Sequence, residues 1–88
     1  MRVHFTDLGW EDYLYWWRHD AKALERLNEL IEEIRRTPFK GRGKPEPLKG
    51  DLRGFWSRRI IGEHRIVYII DGKGAAQCVI VAQCRYHY

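Results

Sequence analysis

The sequence has little of what marks secreted, metal-binding or disulfide-stabilised proteins. It contains only two cysteines, Cys78 and Cys84, and neither these nor its four histidines have the spacing of a metal site. If both cysteines lie on one strand, they are roughly 20 Å apart and cannot share a disulfide. We therefore expect reduced, buried cysteines in a cytoplasmic protein, with no metal or other cofactor.

Long apolar runs are also missing. The longest uninterrupted apolar stretches, such as 78–82, are far shorter than the roughly 20 residues that a membrane-spanning helix needs. The segment Arg2 to Phe5 leads directly into charged sequence, which is not the pattern of a signal peptide. The sequence therefore predicts no membrane association.

Positive charge, by contrast, is abundant. The 88 residues carry 16 Lys and Arg against 12 Asp and Glu, which gives a formal net charge of +4. Eleven of these cations are Arg, whose planar guanidinium suits phosphate binding and base stacking. The length and composition predict one globular domain over residues 1–88 and favour nucleic acid as a partner. A core this small also leaves room for stabilisation by a second copy.

The first half of the chain predicts a short strand followed by a helix. Val3 and Phe5 suit a strand, and either Thr6 or Asp7 can cap the helix that follows. Helical spacing of the apolar residues predicts that the buried face of this helix consists of Trp10, Tyr13, Leu14 and Trp17.

A second helix is predicted from Asp20, a capping residue, to Thr37. Pro38 disfavours helical geometry at the residue before it, so the helix should end there. The inner stripe of this helix is predicted to consist of Leu24, Leu27, Leu30, Ile31 and Ile34.

Residues 38–50 form a basic segment that contains all three prolines, three glycines and four cations. Pro45 and Pro47 flank Glu46, and proline restricts both its own backbone and that of the preceding residue. The segment therefore predicts an ordered, basic loop that holds the backbone of Glu46 extended.

The second half of the chain predicts antiparallel strands over 55–61, 65–70 and 77–87, with turns at Gly62-Glu63 and 71–74. The fold class is accordingly α+β: a β-α-α unit followed by a twisted antiparallel sheet, with the helices on one face. Alternation on the last strand predicts one side with Val79, Val81, Gln83, Arg85 and His87, and the other with Cys78, Ile80, Ala82, Cys84, Tyr86 and Tyr88.

Several strand positions carry cations, among them Arg58, Arg59, Arg65 and Arg85. Together with a His at the end of the last strand, such a sheet can bind an anion such as the phosphate of RNA. The alternative interpretation is that these are ordinary solvated strand positions, and spacing alone leaves both open.

The chain contains a series of specific motifs that runs nearly from end to end. They include DYLYW at 12–16, RRTPF at 35–39, GKPEPLK at 43–49, GFWSRRI at 54–60, EHR at 63–65 and CRYHY at 84–88. In this order the motifs resemble the YoeB toxins of the RelE/YoeB superfamily. Two places depart from the family pattern, the segment 2–4 and a longer hairpin at 71–77.

The resemblance implies a RelE-like, microbial-ribonuclease-like fold and a metal-independent endonuclease that cuts mRNA in the decoding site of the ribosome, beside 16S rRNA. It implies Glu46 as general base, His87 as general acid, Arg65 as phosphate stabiliser and Tyr88 as a substrate-orienting residue. Further cations expected to bind RNA are Lys44, Lys49, Arg58, Arg59 and Arg85. Implied partners are a YefM-type antitoxin and a second copy of the chain.

The residue types suit this chemistry. RNA carries its own nucleophile, the 2′-hydroxyl, so cleavage needs a base, an acid and cations rather than a metal. A carboxylate is ionised at neutral pH, and a histidine is partly protonated there. Two other classes stay open: a non-catalytic RNA- or ribosome-binding module that blocks translation by occupancy, and a protein-interaction subunit without any nucleic-acid role.

Overall fold

The computed structural model describes residues 1–86 of the chain; His87 and Tyr88 lie outside the described part. Within residues 1–86 the chain forms five strands and two α-helices. These are β1 (Arg2–Phe5), α1 (Asp7–His19), α2 (Ala21–Arg36), β2 (Glu46–Pro47), β3 (Trp56–Arg59), β4 (Arg65–Asp71) and β5 (Cys78–Gln83). Short 3-10 turns at Gly50–Leu52 and Gly74–Ala76 precede β3 and β5.

The ends of both helices follow the predicted capping residues. Thr6 rather than Asp7 caps α1, because its Oγ1 accepts the Gly9 N–H at 3.0 Å. Asp20 caps α2 by accepting the Ala23 N–H at 3.0 Å. The second helix ends before Thr37, as expected of a residue that precedes proline.

The buried face of α1 differs from the prediction. Trp10 and Trp17 are 47% and 64% exposed, whereas Gly9, Asp12 and Trp16 are buried. The reason is a close approach between helix and sheet, since a Cβ atom on Gly9 would overlap the carbonyl oxygen of Val81. The smallest residue of the helix therefore decides which face contacts the sheet.

The strands form one sheet in the order β1-β5-β4-β3-β2. The three predicted strands, β3 to β5, pair antiparallel as expected, and the predicted loop adds the short antiparallel strand β2 at the edge. β1 pairs in parallel with β5, so that the sheet is mixed. The α+β class is confirmed. The helices pack on one face of the sheet, and we call the opposite face the open face.

The core lies between the helices and the covered face of the sheet. The predicted stripe of α2 is buried, except that Ala23 takes the innermost position while Leu24 is half-buried. The sheet contributes Ile66, Tyr68, Val79 and Val81 to this core.

The last strand is shorter than predicted and contains a bulge. It ends at Gln83 instead of continuing to His87, and its register shifts so that Val81 pairs with Tyr68 but Gln83 pairs with Val67. The bulge reverses the side-chain alternation and places Gln83 opposite to Val81 rather than beside it. Thr6 braces the bulge, since its N–H donates to Val81 O at 3.0 Å and its Oγ1 donates to Ala82 O at 2.7 Å.

Cys78 and Cys84 are both buried and unbridged, which confirms the expectation for the thiols. Neither helix in the described part of the chain is long and apolar enough to cross a membrane. Residues 1–86 contain no group of three or more His, Cys, Asp and Glu side chains that could bind a metal ion.

Candidate active site on the open face

The strand register assembles a row of side chains across the open face. Glu46 pairs with Ser57, Ser57 with Val67, and Val67 with Gln83. Residues that pair directly project from the same face of a sheet, and Trp56 and Tyr68 on the neighbouring positions belong to the helix side. The row therefore lies on the side of the sheet opposite to the helices, with the exposed Glu46 at one end and the half-buried Gln83 at the other, and its middle residues Ser57 and Val67 are each only 1% exposed.

Two predicted cations lie one step further along the same face. Arg59 pairs directly with Arg65, and these residues are two positions away from Ser57 and Val67 in their own strands. The side chain of Arg59 is exposed, and that of Arg65 is half-buried. The sheet thus brings the carboxylate of Glu46 and two guanidinium groups to one surface.

Glu46 occupies an extended backbone at the edge of the sheet, as the flanking prolines predict. The loop before it is attached to β3, because the Arg59 N–H donates to Gly43 O at 2.7 Å. Lys44 turns the chain with a φ of 52°. Lys44 and Lys49 are both exposed on either side of Glu46, so this edge adds two cations to the candidate site.

Arg65 has an unusual side chain. Its Nε is buried, with no hydrogen-bond partner among residues 1–86, and only the Nε of Arg85 shares this condition. A buried N–H without a partner is unfavourable by about 1–3 kcal/mol. Because this nitrogen is itself covered, a bound anion would reach it only after a local rearrangement, whereas the half-buried side chain as a whole adds positive charge to the open face.

Arg58 is placed quite differently from its neighbour Arg59. It is 0% exposed and on the helix side of β3, where it cannot contact a bound RNA. The expectation that it binds phosphate is corrected by this burial. Arg58 instead donates from Nε to the Tyr68 hydroxyl at 3.2 Å and from its two Nη atoms to Glu33 Oε2 and to the carbonyl oxygens of Thr37, Lys40 and Arg42 at 2.6–3.4 Å.

Arg85 contacts two aromatic rings. Its Cζ lies 3.4 Å from the ring centroid of Tyr15 and 4.4 Å from that of Tyr86, which gives two cation–π contacts. Its Nε is buried without a partner in the described part of the chain. The side chain is thus held among its neighbours, and its predicted contact with RNA stays a prediction.

Beyond the end of β5, the backbone of Cys84 is held by α1. Asp12 Oδ2 accepts the Cys84 N–H at 3.0 Å, and Trp16 Nε1 donates to Cys84 O at 2.7 Å. Burial raises the pKa of Asp12 and also that of the Cys84 thiol, to which the nearby Asp12 charge contributes as well. The thiol is therefore protonated at neutral pH and is not a nucleophile.

The backbone of Tyr86 is held by the segment that opens β4. His64 Nδ1 accepts the Tyr86 N–H at 2.7 Å, and the Arg65 N–H donates to Tyr86 O at 3.1 Å. Tyr86 has a φ of 64°, which is uncommon for a residue other than glycine. We use the name strand-end clamp for the side chains of Asp12, Trp16 and His64 together with the N–H of Arg65.

Five of the predicted site residues thus lie on the open face or at its edge: Lys44, Glu46, Lys49, Arg59 and Arg65. Arg58 is buried on the helix side of the sheet instead. The predicted acid His87 and the substrate-orienting Tyr88 lie outside the described residues. Sequence reasoning missed the strand-end clamp and the position of Gln83. The one signal for Asp12 in the sequence was an acidic residue within a helix rich in aromatic residues. Nothing in the sequence indicated the bulge.

Comparison with known proteins agrees with this architecture. A family profile described as the YoeB-like toxin of bacterial type II toxin-antitoxin systems matches residues 5–88. Toxin YoeB of Streptomyces coelicolor is 54% identical over 88 residues, which cover 100% of both chains. The solved YoeB/ParE toxin from Agrobacterium tumefaciens is 53% identical, covers 100% of both chains and superposes with a TM-score of 0.95.

Solved structures of YoeB from Staphylococcus aureus are also similar. The dimer of that protein is 40% identical and has a TM-score of 0.88 over 100% of this chain and 98% of the other. The same protein has been solved in a heterotetrameric complex with YefM, at a TM-score of 0.87. Fold and sequence together define a bacterial toxin. The chain belongs to the YoeB-like toxins of type II toxin-antitoxin systems, which confirms the resemblance seen in its motifs.

Proposed function

We propose that this toxin is a ribosome-dependent endoribonuclease that cuts mRNA in the decoding site and so stops translation. The observation that carries the proposal is the open face, where Glu46 shares one surface with Arg59 and Arg65. The half-buried guanidinium of Arg65 adds positive charge to that surface, which suits the charge that develops on a phosphoryl group.

The proposed reaction is an internal transesterification. Glu46 takes the proton of the 2′-hydroxyl, whose oxygen attacks the adjacent phosphorus. The P–O bond to the 5′-oxygen breaks, and His87 gives that oxygen a proton. The products are a 2′,3′-cyclic phosphate and a 5′-hydroxyl, and Arg65 stabilises the negative charge that develops on the phosphoryl group in between.

The remaining site residues bind and orient the RNA. Lys44, Lys49 and Arg59 are exposed around Glu46, where they can contact phosphates before and after the cut. Arg85 would add a further cation, and Tyr88 would orient the substrate. Exposed cations of this kind make the affinity for ribosome-bound RNA dependent on salt.

We also propose that the toxin forms a homodimer and binds a YefM-type antitoxin in the cytoplasm. The relatives from Staphylococcus aureus form a dimer and a heterotetramer with YefM. This chain exposes Trp10 and Trp17, seven residues apart on one side of α1, an apolar surface that a partner could cover. Its net charge of +4 suits an acidic antitoxin segment.

Cleavage of one end-labelled mRNA, naked and on programmed ribosomes, tests the proposal. The wild type should cut strongly only on ribosomes and leave cyclic-phosphate ends. Glu46→Gln should lower the cleavage rate by about 10²–10⁴-fold, whereas Glu25→Gln, an exposed carboxylate on α2, should leave it unchanged. Blocked translation with intact mRNA would instead show an inhibitor that acts by occupancy, and equal rates for the two variants would remove Glu46 from the site.

A further inference from the structure

We propose that the strand-end clamp is a positioning device: it fixes the backbone of residues 84–86, which directly precede His87 in the sequence, and the acid-dependent step of the reaction depends on this fixed backbone. The inference rests on the proposed function, in which His87 is the general acid. It assigns Asp12, Trp16 and His64 a role in the reaction although they touch neither substrate nor reacting atoms.

The clamp holds Cys84 through both of its backbone polar groups. Because β5 ends at Gln83, the N–H and C=O of Cys84 have no partner strand, and a buried peptide group without partners is unfavourable. Asp12 and Trp16 are one helical turn apart on α1 and satisfy both groups. A helix that only needed to pack here would use apolar side chains, since a buried carboxylate is unfavourable.

The clamp also holds Tyr86. The left-handed backbone of this residue turns the chain away from the line of β5. This conformation is stabilised because both the N–H and the C=O of Tyr86 are hydrogen-bonded. The N–H bond requires that Nδ1 of His64 carries no proton. The ring of His64 also packs edge-to-face on Trp16, with centroids 4.8 Å apart, so the two halves of the clamp support each other.

The bond between the Arg65 N–H and Tyr86 O links the clamp to the candidate site. Tyr86 directly precedes His87 in the sequence, and Arg65 is the proposed phosphate stabiliser. A single backbone hydrogen bond therefore joins Arg65, the proposed phosphate stabiliser, to Tyr86, the residue before the proposed acid His87. General-acid catalysis depends on such placement to a fraction of an ångström.

The test compares two mRNAs that differ in one atom, a 5′-oxygen or a 5′-sulfur at the scissile linkage. A thiolate leaves without a proton because thiols are far more acidic than alcohols, so only the oxygen substrate needs the acid. Trp16→Phe keeps a ring but loses the Nε1–H, and His64→Phe keeps a ring but loses the acceptor. Both should slow turnover of the oxygen substrate by about 10–100-fold, with the sulfur substrate within about twofold of wild type.

Two variants serve as controls. Tyr13→Phe, on the same helix but outside the clamp, loses the hydrogen bond from its hydroxyl to Asn28 Oδ1 and should match the wild type on both substrates. His64→Asn restores an acceptor, Oδ1, near the position of Nδ1, and should recover most of the rate. Urea unfolding of each variant identifies any that fails to fold, in which case the comparison of His64→Phe with His64→Asn decides.

His87→Ala, measured on both substrates, separates the two levels of the proposal. If it loses the oxygen substrate selectively while the clamp variants slow both substrates equally, the clamp only stabilises the fold and the positioning role is wrong. If His87→Ala itself shows no selective loss, the general-acid assignment fails, and the positioning role fails with it.

Discussion

Adjacent arginines with opposite surroundings provide a sharp test of the structure. Arg58→Met keeps the aliphatic stem but removes every donor of a fully buried guanidinium. Three main-chain carbonyls of the 37–42 loop then lose their partner, along with the hydroxyl of Tyr68 and the carboxylate of Glu33. Arg59→Met changes an exposed side chain on the open face and leaves these bonds intact.

The expected effect of Arg58→Met on stability is large. At about 1 kcal/mol for each lost hydrogen bond, the three carbonyls alone amount to about 3 kcal/mol. A domain of this length has a total free energy of unfolding of roughly 4–13 kcal/mol. The variant should therefore lose a quarter or more of its stability, whereas Arg59→Met should stay within about 0.5 kcal/mol of wild type.

Urea unfolding measures the stability of the two variants, and the cleavage assay on ribosomes measures their activity. With an m-value of about 1–3 kcal/mol per M, the midpoint of Arg58→Met should fall by roughly 1–3 M. Arg59→Met should keep its midpoint but cut RNA more slowly and with a weaker dependence on salt. A stable Arg58→Met protein with a weakened salt dependence would refute the burial argument and return Arg58 to the RNA-binding surface.

Further predictions concern the helices and the thiols. The Arg42 N–H holds the pKa of Glu33 below its usual value of 4.5. The stability difference between wild type and Glu33→Gln should therefore be present at pH 7 and vanish as pH falls through the folded-state pKa; a constant difference in urea unfolding down to pH 3 would contradict this. Gly9→Ala should lower the melting temperature despite alanine's helix propensity, because its Cβ overlaps Val81 O; an unchanged or higher value would argue against the close approach. The buried Cys84 thiol, with its raised pKa, should resist a thiol reagent until the protein unfolds, so rapid labelling of native protein would show an opening missing from the structure.

Local sequence signals predicted the parts of the fold that depend on near neighbours. The cap at Asp20 was predicted, and Thr6 is one of the two caps considered for α1, because a cap forms within one helical turn. The apolar stripe of α2 repeats over several turns and was predicted except at its first position, where Ala23 replaces Leu24. The extended backbone of Glu46 follows from the prolines on either side. These features need no information about distant parts of the chain.

Features set by distant contacts could not be predicted in this way. The face of α1 is chosen by the approach of Gly9 to Val81 on the last strand, which overrides the stronger aromatic periodicity. The bulge that turns Gln83 to the open face arises between β4 and β5.

Arg58 is an intermediate case, because strand alternation offered a clue to its position. It shares its side of β3 with Trp56 and lies two residues before the buried Ile60, which already indicated an inward-facing guanidinium. Its neighbour Arg59 has the opposite parity and is exposed, as the same alternation requires.

The parallel pairing of β1 with β5 has a consequence for how the toxin is made. Arg2 pairs with Cys78, so the first strand stays unpaired until a strand more than seventy residues later has been synthesised. Closing a loop of that length opposes early pairing, and contacts so far apart in sequence make folding slow. Until β5 has been translated, α1 lacks the strand it packs on, and the bond from Asp12 to Cys84 cannot form. The surface proposed to cleave ribosome-bound RNA thus forms only after most of the toxin's own mRNA has been translated.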